Sequence, residues 1–143
     1  MGVVAAAVVV CDQVTKAIAV AALVPGESIQ LLPGLELTYV RNTGIAFGLL
    51  AGSELAIAAV TALAIVLLVG YFVLHAAARG LWLAVGMLLG GALGNLADRA
   101  REGKVIDFID PVSWPAFNLA DSAIVLGVAG LLYLVDAERH RTQ

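Results

Sequence analysis

Asp107 and Asp121 are the residues of this chain whose types and surroundings best fit a catalytic pair. Asp107 is flanked by bulky apolar residues in the segment VIDFID, and Asp121 stands at the entrance to the last apolar run. Two carboxyls that face each other in a poorly solvated site cannot both ionise, so one pKa rises while the other falls. One aspartate can then act as a general base on water while the other donates a proton, which is aspartic-type hydrolysis without a metal ion.

Asn118 and Asp121 also have the spacing of an ordinary helix start. Asn118 would be the N-cap residue, and Asp121, three residues later, would complete a capping-box-like pair. However, the segment 99–116 returns to the surface at which the preceding apolar run ends, which places Asp107 and Asp121 at the same depth. The spacing alone leaves both interpretations of Asp121 open.

Further polar residues interrupt the apolar runs at helical spacing. Asp12 and Lys16 are four residues apart, as are Asn95 and Arg99, so each pair shares one face of a helix. Asp12 and Lys16 are either a neutralised pair that lets the helix insert or part of a functional site. Arg99 can snorkel to the interface as an ordinary anchor, with Asp98 as its hydrogen-bond acceptor, whereas the Asn95 amide needs a partner inside the protein.

The composition places these side chains in a membrane. Of the 143 residues, 62% are hydrophobic and 13% are charged, against about 45–50% and about 25% in soluble domains. A soluble core of this size could not hide so much apolar surface, so lipid must be part of the solvent. The charged residues are scattered along the chain and sum to a net charge of −3, which argues against a nucleic-acid partner. One cysteine cannot form an internal disulfide.

The apolar runs predict a single all-α membrane domain over residues 1–143, with four transmembrane helices at about residues 1–23, 54–75, 81–99 and 117–136. We expect the first run to be a span rather than a cleaved signal peptide, because it lacks a basic start and Asp12 interrupts it. The loop at about residues 25–53 is too long for a tight turn. Its segment 35–40 alternates between apolar and polar residues, which predicts a strand of a small sheet at the membrane surface.

The distribution of basic residues predicts the orientation. With an even number of spans, both termini lie on the same side. Arg79, Arg139 and Arg141 mark that side as cytoplasmic. The aspartate pair is then on the extracytoplasmic side.

Other chemistries and functions have weaker signals in the sequence. Neither the HExxH motif of zinc proteases nor the GxSxG motif of serine hydrolases occurs. A small transporter or proton-pathway protein is the main alternative function, since intramembrane charges mark such paths as well. A second alternative function is that of a structural subunit of a larger assembly. Apart from Asp12 and Lys16, the polar groups gather toward one interface, which favours a site over a path.

Five ordered motifs make the chain resemble the lipoprotein signal peptidases (signal peptidase II). They are DQVTK at 12–16, RNTGIAFG at 41–48, GGALGNLADR at 90–99, VIDF at 105–108 and FNLADS at 117–122. The resemblance implies four transmembrane helices with an extracytoplasmic β-cradle in the loop between helices 1 and 2. It also implies a bacterial cell-membrane enzyme that cleaves the signal peptide of prolipoproteins just before the diacylglyceryl-modified cysteine.

The resemblance also implies roles for individual residues. Asp107 and Asp121 match the catalytic aspartates of the family. The other matched polar positions, for substrate binding or support of the site, are Asn42, Asn95, Arg99, Asn118, Asp12 and Lys16. Among these, Asn42 and Arg99 resemble the family's residues that contact the substrate backbone. The expected partners are a lipid-modified prolipoprotein and membrane lipids; we expect a monomer, and neither a metal ion nor another cofactor.

Overall fold

The described part of the chain, residues 1–43, 54–75 and 80–141 of a computed structural model, forms four helices and three strands. In chain order they are α1 (Gly2–Ala22), β1 (Ser28–Leu32), β2 (Leu35–Asn42), α2 (Glu54–Leu74), α3 (Leu81–Glu102), β3 (Val105–Pro111) and α4 (Leu119–Arg141). Each helix is long and apolar enough to cross a membrane, which confirms the prediction of four such helices. Arg79 and motif residues 44–48 lie outside the described residues.

Helix α3 is the centre of the helical bundle and packs against α1, α2 and α4. Glycines on α3 let its neighbours approach closely. A Cβ added at Gly90 would lie 2.6 Å from Cβ of Val8 on α1, and one added at Gly91 would overlap the backbone of Ala120 on α4. Small residues at such interfaces are typical of helices that associate in lipid. They bring the polar residues of α1, α3 and α4 within hydrogen-bonding distance of each other.

The three strands form one antiparallel sheet in the order β1-β2-β3. The predicted strand at residues 35–40 is part of β2. The sequence predicted a sheet formed by the loop between α1 and α2. The structure differs from this prediction, because β3 comes from the connection between α3 and α4. Residues 105–108 of β3 are all buried, so this strand lacks the alternation by which half-buried strands are recognised.

The sheet stands at the C-terminal end of α1. Ala19 and Leu23 pack there against Tyr39 of β2 and against Ile106 and Phe108 of β3. Gly103, with φ of 72°, reverses the chain between α3 and β3. This left-handed backbone conformation is one that glycine adopts without a steric penalty. The short reversal brings β3 back alongside the last turns of α3.

The register of the sheet decides which residues lie beside Asp107. Val40 of β2 pairs with Asp107, and Asn42 pairs with Val105, two residues away. The other edge of β3 is covered by the approach to α4, where Phe117 bridges to Ile109. Strand β3 is therefore held on both sides, and Asp107 lies between β2 and the start of α4.

The close contact between α1 and α3 gives a first prediction. Gly90→Ala would force a methyl group against Val8 and the carbonyl oxygen of Ala5, which lies 2.8 Å from the added Cβ. We expect a loss of about 1–3 kcal/mol in the free energy of unfolding, as for other overpacked cores. Reversible unfolding in detergent micelles measures it. Gly70→Ala on α2 is the control, because a Cβ there meets nothing within 4 Å; equal stability of the two variants would contradict the packing.

Candidate active site

Asn118 connects the two aspartates. Its Nδ2 donates to Oδ1 of Asp107 at 2.7 Å, and its Oδ1 accepts a hydrogen bond from the backbone N–H of Asp121 at 2.9 Å. In return, the backbone N–H of Asn118 donates to Oδ2 of Asp121 at 3.2 Å. Asn118 is completely buried, and Asp107 is 2% exposed. One amide side chain therefore fixes Asp107 on β3 and Asp121 on α4 relative to each other.

Both interpretations of Asp121 fit this geometry. Asn118 and Asp121 form the reciprocal hydrogen bonds of a capping box at the start of α4. The cap engages only Oδ2 of Asp121. Oδ1 accepts a hydrogen bond from Nδ2 of Asn95 on α3 at 2.7 Å. The helix cap thus holds the carboxyl in place without preventing it from also facing the candidate site.

Asp107 lies in an environment that favours its neutral form. Burial is the main cause, and it raises the pKa of Asp107 to about 6. The hydrogen bond from Asn42 Nδ2 to Oδ2 of Asp107, 2.8 Å long, lowers the pKa, and the negative charge of Asp121 raises it. The Asn118 hydrogen bond and the positive charge of Lys16 lower it further. The net result is a carboxyl that changes protonation near neutral pH.

Lys16 is the centre of a buried polar cluster behind the aspartates. Its Nζ lies 2.8 Å from Oδ2 of Asp12 and 2.7 Å from Oδ2 of Asp98. It also donates to Oδ1 of Asn95 at 3.0 Å. Lys16 is 2% exposed and Asp12 is fully buried. Asn118 Nδ2 donates to the same Asn95 oxygen at 3.1 Å, so the Asn95 amide nitrogen is directed to Asp121.

Asp12 extends the cluster to α4. Its Oδ1 accepts a hydrogen bond from the backbone N–H of Ala120 at 2.9 Å. Asp12 and Lys16, which the sequence analysis separated from the other polar groups, thus belong to the same network. The i, i+4 pairing expected for them exists, and it also connects α1 to the first turn of α4.

The structure does not bring Arg99 into contact with the aspartates. Arg99 lines a cleft of about 380 Å³ together with Asn95; its other lining residues are Ile57, Val60, Thr61, Ala64, Leu68, Leu88, Ala92 and Ile124. Within the described ranges, the Arg99 guanidinium makes neither a hydrogen bond nor an ion pair. A second apolar cleft, of about 500 Å³, runs along α4 beside Asp121 and is lined by Trp114, Phe117, Ser122, Val125 and Leu126.

For two polar residues of the cluster, the sequence did not predict the contacts that the structure shows. Asp98 pairs with Lys16 rather than with Arg99, contrary to expectation. Gln13 donates to Oδ1 of Asp98 at 2.8 Å and was not singled out. The spacing of three residues between Asn95 and Asp98 was the signal that both share one face of α3. Gln13 lies inside the DQVTK motif, but no spacing within one helix relates it to Asp98.

Comparison with known proteins identifies the family. A family model described as signal peptidase (SPase) II matches residues 4–136. This chain belongs to the signal peptidase II family. A relative named lipoprotein signal peptidase from Syntrophomonas wolfei is 49% identical over 129 residues, covering 90% of this chain and 87% of the relative. One of the same name from Pelotomaculum thermopropionicum is 46% identical over 124 residues, covering 85% of this chain and 82% of the relative.

Solved structures show the same fold. A bacterial membrane enzyme determined by the in meso method at 2.3 Å resolution superposes with a TM-score of 0.88 and 34% identity, covering 99% of this chain and 90% of that chain. Another, at 1.9 Å, gives a TM-score of 0.82 and 36% identity over 93% of this chain and 90% of that one. Together with the four apolar helices, the family makes this chain a multi-pass membrane peptidase.

The buried cluster gives a second prediction. Lys16→Met leaves the carboxylates of Asp12 and Asp98 buried without their cation, so the free energy of unfolding should fall by about 3–5 kcal/mol. Lys104→Met is the control, because Lys104 lies outside the cluster; it should change the stability by less than about 0.5 kcal/mol. Unfolding in detergent compares the two. Equal stability of both variants would show that the cluster does not hold the helices together.

Proposed function

We propose that this chain is an aspartic endopeptidase that cleaves the signal peptide of diacylglyceryl-modified prolipoproteins just before the lipid-bearing cysteine. The observation that carries the proposal is the pairing of Asp107 and Asp121 through Asn118, at the junction of the sheet with the helices. Membership in the signal peptidase II family and the names of the relatives support the substrate class.

The proposed mechanism uses one shared proton on the two aspartates. The ionised carboxylate removes a proton from water, and the oxygen of that water attacks the scissile carbonyl carbon. The protonated carboxyl first polarises the carbonyl oxygen and then supplies the proton for the leaving nitrogen. The C–N bond breaks, which leaves a carboxylic acid on the signal peptide and an amine on the lipid-modified cysteine; the new acid then loses its proton to the amine. The proton taken from water restores the shared proton of the pair.

The clefts beside the pair support a lipid-modified substrate. Both clefts have mostly apolar linings; Asp121 lines one of them and Asn95 lines the other. A substrate can enter sideways from the bilayer, with acyl chains against these surfaces. Arg99, a cation in an otherwise mostly apolar cleft, and Asn42, beside Asp107, are proposed contacts to the substrate backbone.

The proposed location is the bacterial cell membrane, with both termini cytoplasmic and the aspartates and the sheet on the extracytoplasmic side. The basic residues of the C-terminal tail support this orientation. We propose that the enzyme acts as a monomer surrounded by membrane lipids. A transporter is less well supported, because Asp12, Lys16 and Asp98, among the described buried charges, contact each other in one cluster rather than being spaced along a path through the membrane.

A cleavage assay tests the proposed function. Purified protein is incubated with a diacylglyceryl-modified prolipoprotein in detergent, with a chelator present throughout. The parent chain should cleave, whereas Asp107→Asn and Asp121→Asn should each lose at least about a thousandfold in kcat, since either change removes the base or the acid. Mass spectrometry of the products locates the cut.

Asp110→Asn is the matched control, because Asp110 lies on the same strand as Asp107, three residues away, and takes no part in the described site. It should retain the parent activity. Cleavage that survives in either Asp107→Asn or Asp121→Asn would contradict the aspartic mechanism. Failure of the folded parent chain to cleave would contradict the substrate class.

The raised pKa of Asp107 gives a pH prediction. The usual aspartate value is 3.8, and Asp107 titrates at about 6, so its proton is present below that pH and lost above it. Activity that requires one shared proton should therefore fall as the pH rises past about 6, and a substrate that excludes water moves this limb higher. A pH profile of kcat measures the limb, whose apparent pKa belongs to the pair. Activity that increases steadily from pH 6 to pH 9 would contradict the shared proton.

A further inference from the structure

The carboxylate of Asp98 receives hydrogen bonds from two other elements of the fold. Asp98 is 5% exposed on α3. Its Oδ2 pairs with Nζ of Lys16 at 2.7 Å, and its Oδ1 accepts from Gln13 at 2.8 Å, both on α1. The same Oδ2 accepts from the backbone N–H of Ile106 on β3 at 3.3 Å. One buried carboxylate thus joins α1 and α3 to the residue directly before Asp107.

The peptide groups of Ile106 are held from two directions. The N–H of Ile106 donates to Asp98, and its carbonyl oxygen accepts from Nδ2 of Asn118 at 3.2 Å. Strand β3 is an edge strand, so neither group on this side pairs with another strand. Edge strands are commonly covered by other groups. At Ile106 the covering groups are the side chain of Asp98, on the N–H group, and the side chain of Asn118, on the carbonyl group that leads into Asp107.

We propose that Asp98 is a positioning residue that sets the location of the Asp107 carboxyl by holding the Ile106 backbone. The proposal rests on the proposed function, since it concerns the same aspartate pair. Three donors converge on the Asp98 carboxylate. An asparagine there has one acceptor oxygen, so at least one donor would lose its partner. Release of the Ile106 N–H would let β3 shift, and small displacements of a reacting group are costly to the chemical step.

Steady-state kinetics on the lipopeptide substrate tests this role. Asp98→Asn should lower kcat by about 10- to 100-fold while KM, and the Kd of a non-cleavable lipopeptide, change by less than about threefold. A purely structural role would instead reduce the fraction of folded, binding-competent protein. Glu102→Gln is the matched control: Glu102 lies one turn later on α3 and its exposed carboxylate is 3.7 Å from Arg41. It should keep kcat within about twofold.

A second variant covers the case in which Asp98→Asn does not fold. Gln13→Met removes one donor of Asp98 and leaves no buried charge without its partner, so it should fold. It should lower kcat by about two- to tenfold at unchanged KM. If the parent cleaves and the folded variants match its kcat, the positioning role is wrong and the proposed function stands. If the folded parent does not cleave, the proposed function fails instead.

Discussion

The buried ammonium group of Lys16 joins α1 to α3 through three polar contacts, to Asp12, Asp98 and Asn95. A lysine this far from water is tolerated only when its charge is compensated, and Asp12 and Asp98 provide two carboxylates within 2.8 Å. These partners lie on α1 and α3, and Asp12 also binds the backbone at the start of α4. The contacts of Lys16 and Asp12 therefore join three helices at one point. The glycines of α3 permit that approach.

Two amide side chains connect the Lys16 cluster to the aspartate pair by hydrogen bonds. Asn95 accepts from Lys16 and donates to Asp121, while Asn118 donates to Asp107 and caps the helix that carries Asp121. Amides suit this purpose because they have fixed donors and acceptors and do not titrate. The orientation of each carboxyl is thus set by neutral groups, and burial of Asp107 places its pKa near neutrality. These are the two properties that a shared-proton mechanism needs.

The sequence predicted the elements better than the contacts between them. Long apolar runs identify the helices, because a helix needs about 20 apolar residues to cross the hydrocarbon core of a membrane. Helical spacing correctly predicted the Asp12–Lys16 pair. Spacing within one helix says which residues share a face, but it does not say which neighbour that face meets. The contact between Lys16 and Asp98 could not be predicted for that reason. Strand β3 was missed because its residues 105–108 are all buried, so they lack the apolar–polar alternation of a half-buried strand.

We propose that Asp107 and Asp121 share one proton, and infrared titration of the protein can detect that proton. The carbonyl stretch of a protonated aspartate is distinct from that of a carboxylate, so the band can be followed against pH in the folded protein in detergent. We expect a protonated carboxyl at pH 5 that disappears as the pH rises past about 6, is absent in Asp107→Asn and persists in Asp110→Asn. A band that survives in Asp107→Asn, or the absence of a band at pH 5 in the parent, would contradict the shared proton.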